Sequence, residues 1–381
     1  MIEPAKRLQS VGEYYFSKKM REVNLLKASG MPIINLGIGS PDLQPPHKVI
    51  TALTESLTNS NAHKYQSYQG LLELREEMAA FHRKKFSVSL SPRTEILPLI
   101  GSKEGIMHIS MAYLNQGDEV LIPNPGYPTY QSVTELLGAK PVFYDLTQEN
   151  NWIPDILELE RLDLSKVKLM WINYPHMPTG AKATYKLFGE LIDFAKRNSI
   201  LIINDNPYSF VLNDSPKSIL SVKGAKEVCL ELNSLSKTFN MAGWRVGMVL
   251  GDEKYLNNII KVKSNMDSGM FFGIQKGAVE ALKCSEMWYI SLNSVYEQRR
   301  ELIWKLAKAL GCKLDKNTAG LFVWAKLPGF LKAEEFVDVI LKKHHIFIAP
   351  GTVFGSNGEG YIRFSLCAST EDIEEAIARI K

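Results

Sequence analysis

From about Glu95 the chain alternates short apolar runs with stretches of helical period. Glu95 to Ile100 reads as a buried strand, followed by Gly101 and a helix to about Leu114. Glu119 to Pro123 is the next strand and Tyr127 to Leu137 the next helix. Lys168 to Asn173, Ile200 to Asn204 and Val228 to Asn233 are further apolar runs, with helical segments such as Tyr185 to Asn198 between them. Uninterrupted apolar strands alternating with helices predict a mostly parallel sheet covered on both faces. Ligands in such sheets sit beyond the carboxyl ends of the strands, where the polar clusters described below fall.

After about Met270 the pattern changes. A long helical stretch runs through Trp288 and Arg299 to about Leu310. Strand runs at Leu321 to Leu327, Ile346 to Ala349 and Tyr361 to Ser365 then alternate with a helix at Ala333 to Lys343 and a closing helix capped by Ser369 or Thr370. The expected architecture is therefore α/β, with a large domain over 46–284 and a smaller α+β domain from 285–381 together with the N-terminal 1–45. A chain of 381 residues can bury both a large core and a cleft.

Composition narrows the function classes. The hydrophobic fraction is 45% and the charged fraction 23%, ordinary globular usage. The net charge of +4 is spread along the chain, and the patch Arg83-Lys84-Lys85 reads as a solvated helix end, so no nucleic-acid partner is expected. No uncharged apolar run approaches the ~20 residues that cross a bilayer, so no membrane partner is expected. Cys229, Cys284, Cys312 and Cys367 form no Cys-x-x-Cys pair, and no zinc-like spacing appears. With no apolar leader among Met1 to Ser10, the expectation is a cytoplasmic protein with reduced thiols and no metal.

The richest segment is Asn233-Ser-Leu-Ser-Lys-Thr-Phe-Asn-Met-Ala-Gly-Trp-Arg245. Lys237 follows a strand run, so its amine can project from the strand's carboxyl end, and a lysine with a lowered pKa forms Schiff bases. Ser234 and Ser236 add hydroxyl donors, and Arg245 adds a planar fork suited to phosphate. A solvated loop lysine is the bland alternative for Ser-x-Ser-Lys alone; Gly-Trp-Arg at this spacing favours the site. Asp205-Asn-Pro-Tyr208 ends another strand run. Asp205 can hold a proton on a ring nitrogen and Tyr208 can donate to a ring oxygen, although an Asx-turn before proline explains Asp205 taken singly. Ser102 and Lys103, in Gly101-Ser-Lys-Glu-Gly105, stand where a strand gives way to a helix, a place for phosphate or for an ordinary serine cap. Tyr127 is placed to stack on a planar ring, and reads equally as a core aromatic in a proline-rich turn.

Together these segments resemble the class I/II aminotransferases of pyridoxal-5'-phosphate (PLP) fold type I, in that family's order and over nearly the whole chain. Leu36-Gly-Ile-Gly-Ser-Pro-Asp42, Tyr65-Gln-Ser-Tyr-Gln-Gly70 with Leu74-Arg75, Asn173-Tyr-Pro-His-Met-Pro-Thr-Gly180 and Tyr361-Ile-Arg-Phe-Ser365 complete the likeness. It implies a mostly parallel seven-stranded sheet, PLP as cofactor, and a homodimer. It implies Lys237 as the Schiff-base lysine and proton shuttle, Asp205 at the pyridine nitrogen and Tyr208 at the 3-oxygen. Ser102, Lys103, Ser234, Ser236 and Arg245 would hold the phosphate, with Tyr127 on the ring. Arg363 would bind the substrate α-carboxylate, Gly39 would meet substrate through its backbone, and Tyr65 would reach the partner subunit's phosphate. Leu97 to Gly105, Asp267 to Phe271 and Tyr14-Tyr-Phe16 look most like LL-diaminopimelate aminotransferases and their close relatives, which makes Tyr14 a substrate candidate.

One position departs from the family. Met177 stands where an asparagine usually donates to the cofactor's 3-oxygen, and methionine cannot donate. His176 is the nearest alternative donor and reads equally as a packing residue. The expected activity is amino transfer from an amino acid to a 2-oxo acid, with glutamate and 2-oxoglutarate as a common pair. The alternatives are a PLP lyase on the same fold (a C–S lyase or cyclopropane-forming synthase) and a non-catalytic ligand-sensing domain.

Overall fold

Seven strands form one sheet: β1 (Ile96–Leu99), β2 (Glu119–Asn124), β3 (Lys140–Asp145), β4 (Val167–Ile172), β5 (Leu201–Asp205), β6 (Cys229–Ser234) and β7 (Gly247–Gly251). The computed structural model that shows them describes residues 2–329 and 331–381. The strand order is β1-β7-β6-β5-β4-β2-β3. β7 runs antiparallel to both of its neighbours, while the remaining pairs are parallel. Two of these strands lay outside the apolar runs read from the sequence. β3 contains Pro141 and is half exposed, as an edge strand allows. β7 is a short run bounded by glycines.

The strands are apolar because both faces are covered. Leu121, Met170 and Ile202 face one layer, while Val120, Leu169 and Ile203 face the other; all six are fully buried. Each such side chain contributes on the order of 1.5–3 kcal/mol through burial. The helix Tyr185–Asn198 shows how sequence sets an element. Thr184 caps it by accepting from the Leu187 N–H, Leu187, Phe188, Leu191 and Ile192 form its inward face, and Ser199 ends it in a left-handed conformation.

The C-terminal part carries a four-stranded antiparallel sheet of Ala349–Pro350, Tyr361–Ser365, Phe322–Lys326 and Lys313–Leu314. The long helix Glu286–Ala309 and the closing helix Thr370–Ile380 pack together beside it. Ile34–Asn35 pairs in parallel with Ile346–Phe347, which ties the N-terminal segment to this part.

Candidate active site

A cavity of about 370 Å³ opens at the carboxyl ends of the central strands. β6 ends at Ser234, whose hydroxyl caps the one-turn helix Leu235–Thr238 by accepting from the Ser236 N–H. That turn carries Lys237 into the cavity, where its Nζ donates to the Gly39 carbonyl at 2.6 Å. Burial lowers the Lys237 pKa, and the Arg363 and Arg245 cations add to the effect.

Asp205 is the last residue of β5 and is buried. Its Oδ2 accepts from the Tyr130 hydroxyl at 2.9 Å, while Oδ1 has no partner. Tyr130 is itself held by stacking on Trp171, with centroids 4.9 Å apart. Burial pushes the Asp205 carboxyl up to about 6, against the Tyr130 hydrogen bond. A buried carboxylate oxygen without a donor is costly, and a cationic ring N–H would satisfy it. Tyr208, three residues on, is buried in the same wall and its phenol pKa is raised by that burial.

The opposite end of the cavity is built for an anion. Ser102 and Lys103 open the helix Ser102–Tyr113, whose first N–H groups lack intrahelical partners. Gly101 precedes them at φ +82°, and a Cβ there would collide with the Arg245 guanidinium. Glycine thus lets Arg245 lie against the helix start. Arg245 holds a left-handed backbone at φ 57°, an uncommon conformation for a side-chain-bearing residue. The Ser234 hydroxyl donates to Ser236 Oγ at 2.8 Å beside it. Burial and Arg245 lower the Lys103 pKa. Two cations, three serines and helix N–H groups thus converge on one end.

Arg363 stands mid-strand in Tyr361–Ser365, opposite Trp324 on one side and Ala349 on the other. It is buried, and burial lowers its pKa to about 10. Nη2 donates to the Gly37 carbonyl at 2.6 Å, Nη1 lies 3.4 Å from Met177 Sδ, and Nε has no partner. Gly39 and Tyr14 also line the cavity, as does Tyr127, with the Tyr14 and Tyr127 hydroxyls beside one another. Lys103 Nζ lies 4.6 Å from the Tyr14 ring centroid.

Two of the residues singled out from sequence lie elsewhere. His176 is buried outside the cavity lining, its Nδ1 2.8 Å from Thr179 Oγ1, and burial lowers its pKa to about 3. Met177 faces the cavity in its place. Tyr65 is 89% exposed on the surface, away from this chain's cavity. Sequence reading gave no role to Tyr130, although it stands three residues after Tyr127, which immediately precedes the helix Pro128–Leu136, or to Asn173, whose amide donates to the Asp205 carbonyl. Phe16, at the end of the Tyr14-Tyr-Phe16 motif, was given no role of its own, and Phe322 and Phe354 carried no sequence signal; all three lie around Arg363. Away from the cavity, Glu104, His108 and Asp267 bring ligand atoms within 4.8 Å of one another. Their carboxylates already accept from Lys263, the Gly269 N–H and the Ile100 N–H.

The profile of the class I and II aminotransferases matches residues 31–380. The chain belongs to that family. Among similar proteins, the LL-diaminopimelate aminotransferase of Nitratidesulfovibrio vulgaris is 39% identical over 380 residues, covering 99% of this chain and 98% of that one. The apo structure of BacF from Bacillus subtilis superposes with a TM-score of 0.96 at 36% identity, covering 100% of this chain and 98% of that one. A mutant aspartate aminotransferase from Thermus thermophilus shares the fold, at TM-score 0.92 and 24% identity over 100% of this chain and 99% of that one. The aminotransferase is thus α/β with the aspartate-aminotransferase-like PLP fold type I, and its cofactor is pyridoxal 5'-phosphate. The residues present fit that group. The unpartnered Asp205 Oδ1 suits its ring nitrogen, and the cradle of Ser102, Lys103 and Arg245 suits its phosphate. Among the described residues, no helix is long and apolar enough to cross a membrane.

Proposed function

We propose that this aminotransferase moves the amino group of an amino acid to a 2-oxo acid, with Lys237 as the residue that carries the cofactor. The observation that carries the assignment is the Lys237 amine, desolvated and held 2.6 Å from the Gly39 carbonyl in the cavity shared by Asp205 and Arg363. When bound, PLP supplies a protonated ring that withdraws electrons from the substrate Cα. Asp205 Oδ1 would keep its ring nitrogen protonated, Tyr208 would donate to its 3-oxygen, and Tyr127 would stack on the ring. Ser102, Lys103, Ser234, Ser236 and Arg245 hold the phosphate, together with the N–H groups of the helix Ser102–Tyr113. Arg363 pairs with the substrate α-carboxylate, and Gly39 meets the substrate through its backbone. Freed from the Gly39 carbonyl, Lys237 Nζ would take the proton from the substrate Cα and return it, a role suited to an amine with a lowered pKa.

In this reading the protein is a cytoplasmic homodimer with two composite sites, the exposed Tyr65 of each subunit completing the phosphate cradle of the other. Glutamate and 2-oxoglutarate serve as one substrate pair. Relatives named for LL-diaminopimelate keep that compound among the donors to be tried. Borohydride reduction followed by peptide mass spectrometry tests the lysine, and label on any other lysine overturns the assignment. Repeated turnover should require an added 2-oxo acid, with no more than one equivalent of product per site in its absence; sustained product formation without an acceptor would instead establish a lyase.

A further inference from the structure

The cavity between Lys237 and Arg363 is walled by rings. Tyr14 and Phe16 have centroids 5.7 Å apart, Phe16 and Phe354 6.2 Å, and Tyr208 and Phe322 5.8 Å. The Arg363 guanidinium joins the two groups, its carbon 3.9 Å from the Phe322 centroid and 4.6 Å from that of Phe354. Met177 closes the side next to Nη1, and Ile38 also lines the space.

The charges that line the cavity are already committed. Lys103 and Arg245 stand at the anion end, and Lys237 and Arg363 have the roles given above. Asp205 is the sole carboxylate among the described lining residues, and one of its oxygens is held by Tyr130. A donor whose side chain ends in an ammonium or in a second amino acid head would bring that charge against rings and a thioether, with no carboxylate of this chain to meet it. Burying a charge without a partner is strongly unfavourable. A ring or a large aliphatic group there removes apolar surface from water and finds edge-to-face contacts.

We propose that the amino donor selected by this site carries an uncharged aromatic or large apolar side chain, with Phe16, Phe322, Phe354 and Met177 as its specificity-determining residues. The inference rests on the aminotransferase reading for the reaction and on the cavity wall alone for binding. The native holoenzyme tests both. Single-turnover mixing with L-phenylalanine, L-leucine or LL-diaminopimelate, with no acceptor present, follows the donor half of the reaction by the absorbance of the cofactor on Lys237. The second-order rate constant for phenylalanine is expected to exceed that for LL-diaminopimelate by at least about tenfold. An equal or faster reaction with LL-diaminopimelate overturns the proposal.

Calorimetric titration with two unreactive carboxylates, 3-phenylpropionate and pimelate, reads binding apart from chemistry. Tighter binding of 3-phenylpropionate supports the apolar wall, and equal or tighter binding of pimelate overturns it. If no donor reacts while 3-phenylpropionate still binds more tightly, the aminotransferase reading fails and the assignment of the pocket stands.

Discussion

Replacing Asp205 by asparagine should stabilise the apoprotein while impairing the enzyme. The carboxyl is 5% exposed, and burial raises it from its ordinary 3.8 to about 6. Between about pH 4 and pH 6 the folded apoprotein therefore holds a proton that the unfolded chain has released, and stability falls as pH rises through that window. The difference between 3.8 and about 6 corresponds to about 3 kcal/mol, lost above pH 6. Asparagine keeps an oxygen to accept from Tyr130 and carries no charge, so the loss should vanish. Calorimetric melting of wild type and Asp205→Asn, both without cofactor, at pH 4.5 and pH 7.5 measures it. The variant should gain more on wild type at the higher pH, because at pH 4.5 only about a third of that loss is yet present. Glu231, which burial pushes up to about 7, titrates in both proteins and cancels in the difference. With PLP bound the order reverses in function, because the ring N–H loses an anionic partner, a charge-assisted bond contributing about 1.5–3 kcal/mol, or about tenfold to a hundredfold in turnover. A variant that melts no higher than wild type at pH 7.5, or an equal difference at both pH values, would refute the buried-carboxylate reasoning.

Arg363→Leu should raise KM for every amino acid and lower kcat/KM by about 30-fold or more, because a buried, hydrogen-bonded charge pair contributes about 2–5 kcal/mol; an unchanged KM across several donors rules out the carboxylate role. Mixing inactive Tyr65→Ala and Lys237→Ala subunits should restore part of the activity through shared sites, and a fully active monomer in sedimentation would contradict the dimer. Met177→Asn should add a donor near the 3-oxygen and lower the pH at which the absorbance of the Lys237-bound cofactor titrates, by about one unit or less. His176→Ala should leave that pH unchanged, since the ring lies outside the cavity lining with Nδ1 on Thr179; an identical titration in wild type and Met177→Asn would show that position 177 does not face the cofactor.

Much of this protein follows from short-range order in its sequence. Periodicity marked β1, β2, β4, β5 and β6 because strands buried on both faces must be continuously apolar. β3 and β7 escaped that test, one an exposed edge bearing Pro141 and the other a short run bounded by glycines. Ser234, Ser236 and Lys237 sit within four residues of chain, and Asp205 and Tyr208 within another four, so their spacing already confines each group to one strand end. What lies far apart in sequence was decided by the fold. Parallel pairing of β4, β5 and β6 brings Asn173, Asp205 and Lys237 to one edge. The antiparallel return of β7 sets Arg245 against Gly101, nearly a hundred and fifty residues earlier. His176 and Met177 are neighbours in one turn, and nothing local says which enters the cavity. The backbone after β4 points Met177 toward Arg363 and leaves His176 buried on Thr179. The rings around Arg363 come from the N-terminal segment, from Phe322–Lys326 and from the loop after Ala349–Pro350, and they meet only because the small sheet and the first helix close over the large one. Side-chain spacing along a strand or helix is set by two backbone dihedrals per residue that repeat along the element. Which strand ends face the same cavity depends on sheet order and packing, and no stretch of the sequence holds that information by itself.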